Sequence, residues 1–184
     1  MIFYVARHGE TEWNALDKVC GRTDIPLTEK GMEQAKAMGE KLKGEKIDLV
    51  VVSPMIRAQQ TAEIAAEAAG ISRDIFVTDE RLIEEDYGIY EGVNRKDEGF
   101  LGNKRNFAFR YPGGESHMMV AARTYSLIDE LRRNHPDKNI LFVCHGGFCR
   151  VINTYFVDIS NEDFFRWGAA NSSFVKYEIG GIYE

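Results

Sequence analysis

Four short stretches of this chain carry side chains suited to chemistry. Arg7-His8-Gly9 closes an apolar run, Met1 to Ala6, and Asn14 lies within one loop of it. Arg57 falls in the first turn of a helix opened by Ser53-Pro54. Glu84, Glu85 and Asp86 are consecutive acids, and His145-Gly146-Gly147 closes another apolar run, Ile140 to Cys144. An arginine beside a helix N-terminus makes an anion site suited to phosphate. An imidazole nitrogen can attack phosphorus covalently, and a carboxyl group can give and recover a proton. Phosphoryl transfer needs such a nucleophile, charge stabilisation and a proton for the leaving group. Taken singly, each stretch has a plainer reading. These are a solvated arginine, an acidic loop, and a polar residue after a strand.

The flanking sequence says how these residues would be positioned. Met1 to Ala6, Ile47 to Val52 and Ile140 to Cys144 are too short for helices and read as buried strands. Ile75 to Thr78 reads as an edge strand and Ser172 to Ile179 as a final one. Met32, Ala35, Met38 and Leu42 recur at helical spacing after Thr28, a good N-cap. Ala58, Ala62, Ala65 and Ala69 form a small-residue helix face that Gly70 ends. A helix over 118–134 should turn Met119, Ala122, Leu127 and Leu131 inward, and another should run from Phe148 to Val157. Apolar strands alternating with amphipathic helices predict an α/β fold, a three-layer α/β/α sandwich with a mostly parallel central sheet. Sites in open α/β sheets gather outside the carboxyl ends of the strands, where Arg7, His8 and His145 should lie. Gly9 would let another group approach the main chain.

The longer string Arg7-His8-Gly9-Glu10-Thr11, followed by Trp13-Asn14, resembles the signature of the histidine phosphatase superfamily. Further segments resemble that family in its order. They are Ser53-Pro54 with Arg57-Ala58 and Thr61-Ala62, Leu82 with Glu84 and Gly88, Glu91-Gly92, Gly114-Glu115-Ser116, and His145-Gly146. The resemblance spans nearly the whole chain and implies the phosphoglycerate mutase-like fold. It implies His8 as nucleophile and Glu84 as proton donor, with Glu85 the alternative. Arg7, Asn14, Arg57 and His145 would bind the phosphoryl oxygens, with no metal and no cofactor. Nearby Arg7 and Arg57 would disfavour protonated His8 and keep its lone pair available. Cys20 departs from the pattern, since many of these phosphatases carry glutamine there and a thiol is a poor donor.

Residues 93–117 read as a short lid insertion in a single domain spanning 1–184. Lys104, Arg105 and Arg110 stand there without an acid between Gly102 and Tyr111. That suits a lid over an anionic substrate, or equally a basic surface helix. His117, at the start of the next helix, is structural or faces that lid.

The chain has 184 residues, 44% hydrophobic and 28% charged, as expected of a globular protein. Its net charge of −6 argues against nucleic acid or an anionic membrane as partner. Cys20, Cys144 and Cys149 form no disulfide framework, which favours a cytoplasmic setting. No apolar run reaches the ~18 residues needed to span a bilayer. The expected partner is a small phosphorylated substrate, and a homo-oligomer is left open. The expected activity is a metal-independent phosphomonoesterase acting through phosphohistidine. The alternatives are a phosphoglycerate mutase and a non-catalytic phosphoryl-binding protein. Only nineteen residues separate Gly92 from Pro112, a short lid that favours hydrolysis over mutase chemistry.

Overall fold

The computed structural model describes residues 1–179. The expected span of 1–184 therefore ends outside the described residues. Five strands form one sheet: β1 (Ile2–Arg7), β2 (Leu49–Val52), β3 (Phe76–Thr78), β4 (Ile140–Cys144) and β5 (Phe174–Glu178). Their order is β3-β2-β4-β1-β5. β1 to β4 are parallel, and β5 joins the edge antiparallel to β1.

The strands are apolar on both faces because helices cover both. Tyr4, Ala6, Val50, Val52, Leu141 and Val143 point to one side. There they meet Met38 and Leu42 of α2 (Glu29–Leu42) and Ala58, Ala62 and Ala65 of α3 (Ile56–Ala69). A four-residue helix, α1 (Glu12–Ala15), precedes them in the chain. Phe3, Val5, Leu49, Val51 and Phe142 point to the other side. They pack against α5 (His117–Asn134) and α6 (Gly146–Phe156), with Phe164 of α7 (Asn161–Arg166). The short α4 (Glu98–Lys104) lies apart, in residues 93–117. This is the three-layer α/β/α sandwich.

Several helix faces differ from their expected phase. Met32 is 40% exposed, because Gly31 rather than Met32 meets the loop after β1. In α5, Met119 and Ala122 face solvent, while Val120, Thr124, Leu127, Ile128 and Leu131 turn inward. Ser116 caps that helix through Met119 N–H and brings His117 inside, which shifts the buried stripe. α6 begins at Gly146, directly after His145, rather than at Phe148.

The parallel register brings three strand ends to one edge. Arg7 lies beside Cys144, and Val52 beside Val143. One residue further on, His8 N–H donates to the Cys144 carbonyl at 2.9 Å, and Ser53 N–H to the Val143 carbonyl at 3.1 Å. Gly9 then passes close to the N-terminus of α2. A Cβ there would sit 2.4 Å from the Gly31 carbonyl oxygen, well inside contact distance. Gly9→Ala is expected to destabilise the fold by about 1–3 kcal/mol through this overpacking. Urea denaturation measures it, and an unchanged midpoint would show that the α2 contact yields freely.

Candidate active site

His8 is 4% exposed and lines a cavity of about 130 Å³ at the sheet's carboxyl edge. Its Nδ1 lies 2.6 Å from its neighbour's carbonyl, that of Gly9. A carbonyl only accepts, so Nδ1 carries the proton and the lone pair of the neutral ring is on Nε2. Burial, then Arg57 and Arg7, push the His8 pKa well below the usual histidine value. The imidazole is therefore held neutral.

Arg57 and His145 stand behind His8 and do not line the cavity; both have no solvent exposure. The two imidazole centroids are 5.2 Å apart. Arg57 Nε donates to His145 Nδ1 at 3.1 Å. Arg57 Nη1 donates to the Thr23 carbonyl at 2.9 Å and Nη2 to the Gly21 carbonyl at 2.7 Å. With Nδ1 accepting, His145 carries its proton on Nε2 and donates it to Ser53 Oγ at 2.7 Å. Glu91 shapes the loop that offers the two carbonyls. Its Oε1 accepts from Gly21 and Arg22 N–H, and its Oε2 from the Thr23 hydroxyl.

Arg7 and Asn14 do reach the cavity. Arg7 Nη1 donates to the Ala169 carbonyl at 2.7 Å, while its Nε is buried without a protein partner. Asn14 is locked by a capping box, with Thr11 Oγ1 accepting from its N–H and its Oδ1 accepting from Thr11 N–H. Asn171 Nδ2 donates to the same Oδ1 at 3.1 Å and to the His8 carbonyl at 3.1 Å. Asn14 Nδ2 is thus left to donate elsewhere.

Glu84 and Glu85 part company. Glu84 lines the cavity at the N-terminus of α6. Its Oε1 accepts from Phe148 N–H at 2.9 Å and from Glu85 N–H at 2.9 Å, and its Oε2 from Gly147 N–H at 3.0 Å. It thereby caps a helix whose own N-cap residue, His145, makes no side-chain cap bond. Glu85 is buried away from the cavity, 2.9 Å from His117 Nδ1. Burial raises its pKa and the histidine opposes the rise. His117 Nε2 donates to the Lys104 carbonyl at 2.9 Å, so this histidine does face the insertion.

The remaining cavity wall includes Val19, Cys20, Tyr87, Arg95, Phe100, Lys104, Tyr111, Arg150 and Ala169. Of the basic residues in 102–111, only Lys104 faces the cavity; Arg105 and Arg110 are exposed. Sequence reasoning passed over Arg150, Arg95 and Asn171, and it quoted Glu91 without giving it a role. Arg150 alone left a signal, lying just over one helical turn beyond His145. Cys20 lies in the wall and points its thiol at the Thr23 carbonyl, 3.7 Å away; burial pushes its pKa up.

A model of the histidine phosphatase superfamily (branch 1) matches residues 3–182. The chain belongs to the histidine phosphatase superfamily. A 2,3-bisphosphoglycerate-dependent phosphoglycerate mutase of Rhizobium meliloti is 31% identical over 95% of this chain and 88% of its own length. The phosphoserine phosphatase 1 of Hydrogenobacter thermophilus is 28% identical over 92% of this chain and 82% of its own. Among solved structures, mycobacterial glucosyl-3-phosphoglycerate phosphatase superposes with a TM-score of 0.82 at 27% identity. That match covers 95% of this chain and 88% of the other. The present chain is an enzyme of the phosphatase class.

Neutral burial of His8 and His145 has a stability consequence. Burial pushes both folded-state pKa values well below the ordinary one, with Arg57 adding to the effect. The unfolded chain takes up these protons near pH 6.5, and the folded chain does not. Stability is therefore full above that pH and is lost as pH falls, by about 1.4 kcal/mol per pH unit for each histidine. Unfolding free energies between pH 6.5 and 5 should show a slope shallower by about that amount in His8→Asn. Equal slopes in the two proteins would refute the neutral assignment.

Proposed function

We infer that this enzyme hydrolyses small phosphate monoesters through a phosphohistidine on His8. The observation that carries the reading is the tautomer of His8. Gly9 claims the Nδ1 proton, and the lone pair is left on Nε2 of a cavity-lining ring shared with Glu84. In the first step Nε2 attacks phosphorus, the ester P–O bond breaks, and Glu84 gives the departing oxygen its proton. In the second, water attacks the phosphohistidine, Glu84 takes the water proton, and the N–P bond breaks to release phosphate. Arg7 and the Asn14 amide donate to the phosphoryl oxygens from the cavity wall. Arg57 and His145, packed beside His8, keep it neutral and complete the group of donors around the phosphoryl oxygens. The positive charge comes from side chains, so activity should persist in a chelator. The three unpaired thiols support a reducing, cytoplasmic setting.

A second reading is a phosphoglycerate mutase, which the Rhizobium meliloti relative favours. Incubation with 3-phosphoglycerate separates the two. Hydrolysis releases inorganic phosphate, whereas a mutase yields the positional isomer without it.

His8→Ala should lose turnover while keeping the folded circular dichroism spectrum. Quenching the wild-type enzyme with labelled substrate should place the label on His8. Label on His145 would reverse the two roles. Glu84→Gln should cost alkyl esters ~10²–10⁴-fold and p-nitrophenyl phosphate much less in its first step, because general acid catalysis matters most for basic leaving groups. Single-turnover alcohol release reads this directly, and equal losses on both esters would remove Glu84 from the proton-donor role.

A further inference from the structure

One buried acid has no place in the reaction. Glu85, next to Glu84, is 1% exposed, and His117, at the start of α5, is 3% exposed. Glu85 Oε1 lies 2.9 Å from His117 Nδ1. Apart from this contact, neither Glu85 oxygen nor His117 Nδ1 has a hydrogen-bond partner among the described residues. The other ring nitrogen, Nε2, must carry a proton, because the Lys104 carbonyl 2.9 Å away only accepts. Two bare lone pairs at the Nδ1 contact would repel. The pair therefore keeps one further proton, on the ring or on the carboxyl, and is neutral overall in either form.

Such a pair adds little stability, since apolar residues of similar volume commonly do as well or better. Its position gives it another use. Residues 84–86 are held one by one from α5 and its cap. Arg123 Nη2 donates to the Glu84 carbonyl at 3.3 Å, His117 meets the Glu85 side chain, and Glu115 Oε2 accepts from Asp86 N–H at 3.0 Å. The Glu85 N–H itself donates to Glu84 Oε1 at 2.9 Å. Anchoring the Glu85 side chain thus fixes the peptide that aims the Glu84 carboxyl. The same ring reaches the insertion. Lys104 is the last residue of α4, and nearby Met118 N–H donates to the Phe107 carbonyl at 3.1 Å. The Phe107 ring packs edge-on against His117, with centroids 5.8 Å apart.

We propose that Glu85 and His117 are positioning residues for the proton-transfer step: the pair fixes the peptide that aims Glu84 and ties α4 to it. One buried contact then sets both the proton donor and a part of the insertion that walls the cavity. The inference rests on the reading of Glu84 as proton donor. Glu85 and His117 do not line the cavity, so both act through their neighbours.

The test uses Glu85→Gln and the double variant Glu85→Met with His117→Leu. Glutamine offers Nδ1 an amide N–H in place of the shared proton. Glu85→Gln should therefore release alcohol from the alkyl ester glycerol 3-phosphate near the wild-type rate. The double variant should fold, with a urea midpoint near that of the wild type, because both partners leave together. Its single-turnover alcohol release should fall roughly tenfold to a hundredfold on glycerol 3-phosphate, the scale of a misplaced catalytic group. On p-nitrophenyl phosphate it should stay near wild type. A folded double variant with wild-type release from both esters, or with equal losses on both, would overturn the positioning role. So would a loss in Glu85→Gln as large as that of the double variant. Limited trypsin digestion reads the tie to α4. His117→Asn keeps an amide beside Glu85 but is too short to reach Lys104. It should be cut faster than wild type after Lys104 or Arg105, whether or not the double variant folds, and unchanged cutting would remove the tie. If Glu84→Gln itself loses both esters equally, or the wild type hydrolyses neither, the proton-donor reading fails. Faster cutting of His117→Asn then leaves the pair as a latch on α4, and unchanged cutting removes that too.

Discussion

A guanidinium with no exposed surface and, among the described residues, no carboxylate partner governs the architecture around the cavity. Burying a charge is costly unless it is fully hydrogen-bonded. Arg57 offsets that cost through three of its five N–H groups, given to two carbonyls, those of Gly21 and Thr23, and one imidazole nitrogen, that of His145. The loop 20–23 must therefore be held in one shape, which Glu91 does from the far side. His145 must present an acceptor at Nδ1, which commits its other nitrogen to Ser53. Ser53, in turn, is placed by the hydrogen bond that extends β2 along β4. One buried charge thus ties together two strand ends, a loop and a helix.

The same charge sets the electrostatics of the cavity. His8 needs no general base to free its lone pair, because burial and two arginines already exclude the protonated form. Glu84 is held by three backbone N–H groups on two segments, so its oxygens have little freedom to wander. The site is preorganised by backbone as much as by side chains, which is where electrostatic catalysis gains most.

Much of this was legible in the sequence, and the limits have physical causes. Short apolar runs ending in Arg7-His8 and Cys144-His145 could only be central strands of a covered sheet, and the sheet follows. The phase of α5 differs from the expected one because His117 turns inward, which carries Val120 and Thr124 to the core and leaves Met119 and Ala122 outside. Glu84 and Glu85 could not be told apart by type or burial, since both are buried carboxylates; only their partners, α6 N–H groups and His117, distinguish them. Arg57 was legible as a phosphate-type arginine, but its place behind His8 depends on carbonyls 34 and 36 residues earlier in the chain. No local pattern encodes such long-range acceptors.

The two strand-histidine-glycine corners look interchangeable as strings of letters. In three dimensions they are opposite tautomers, because a carbonyl takes the proton of one ring at Nδ1 and an arginine donates to the same atom of the other. The division of labour between the histidines is thus a matter of bookkeeping outside the imidazoles themselves. Exchanging their parts would leave both histidines unaltered but would require moving two outside groups, the guanidinium at one Nδ1 and the carbonyl at the other.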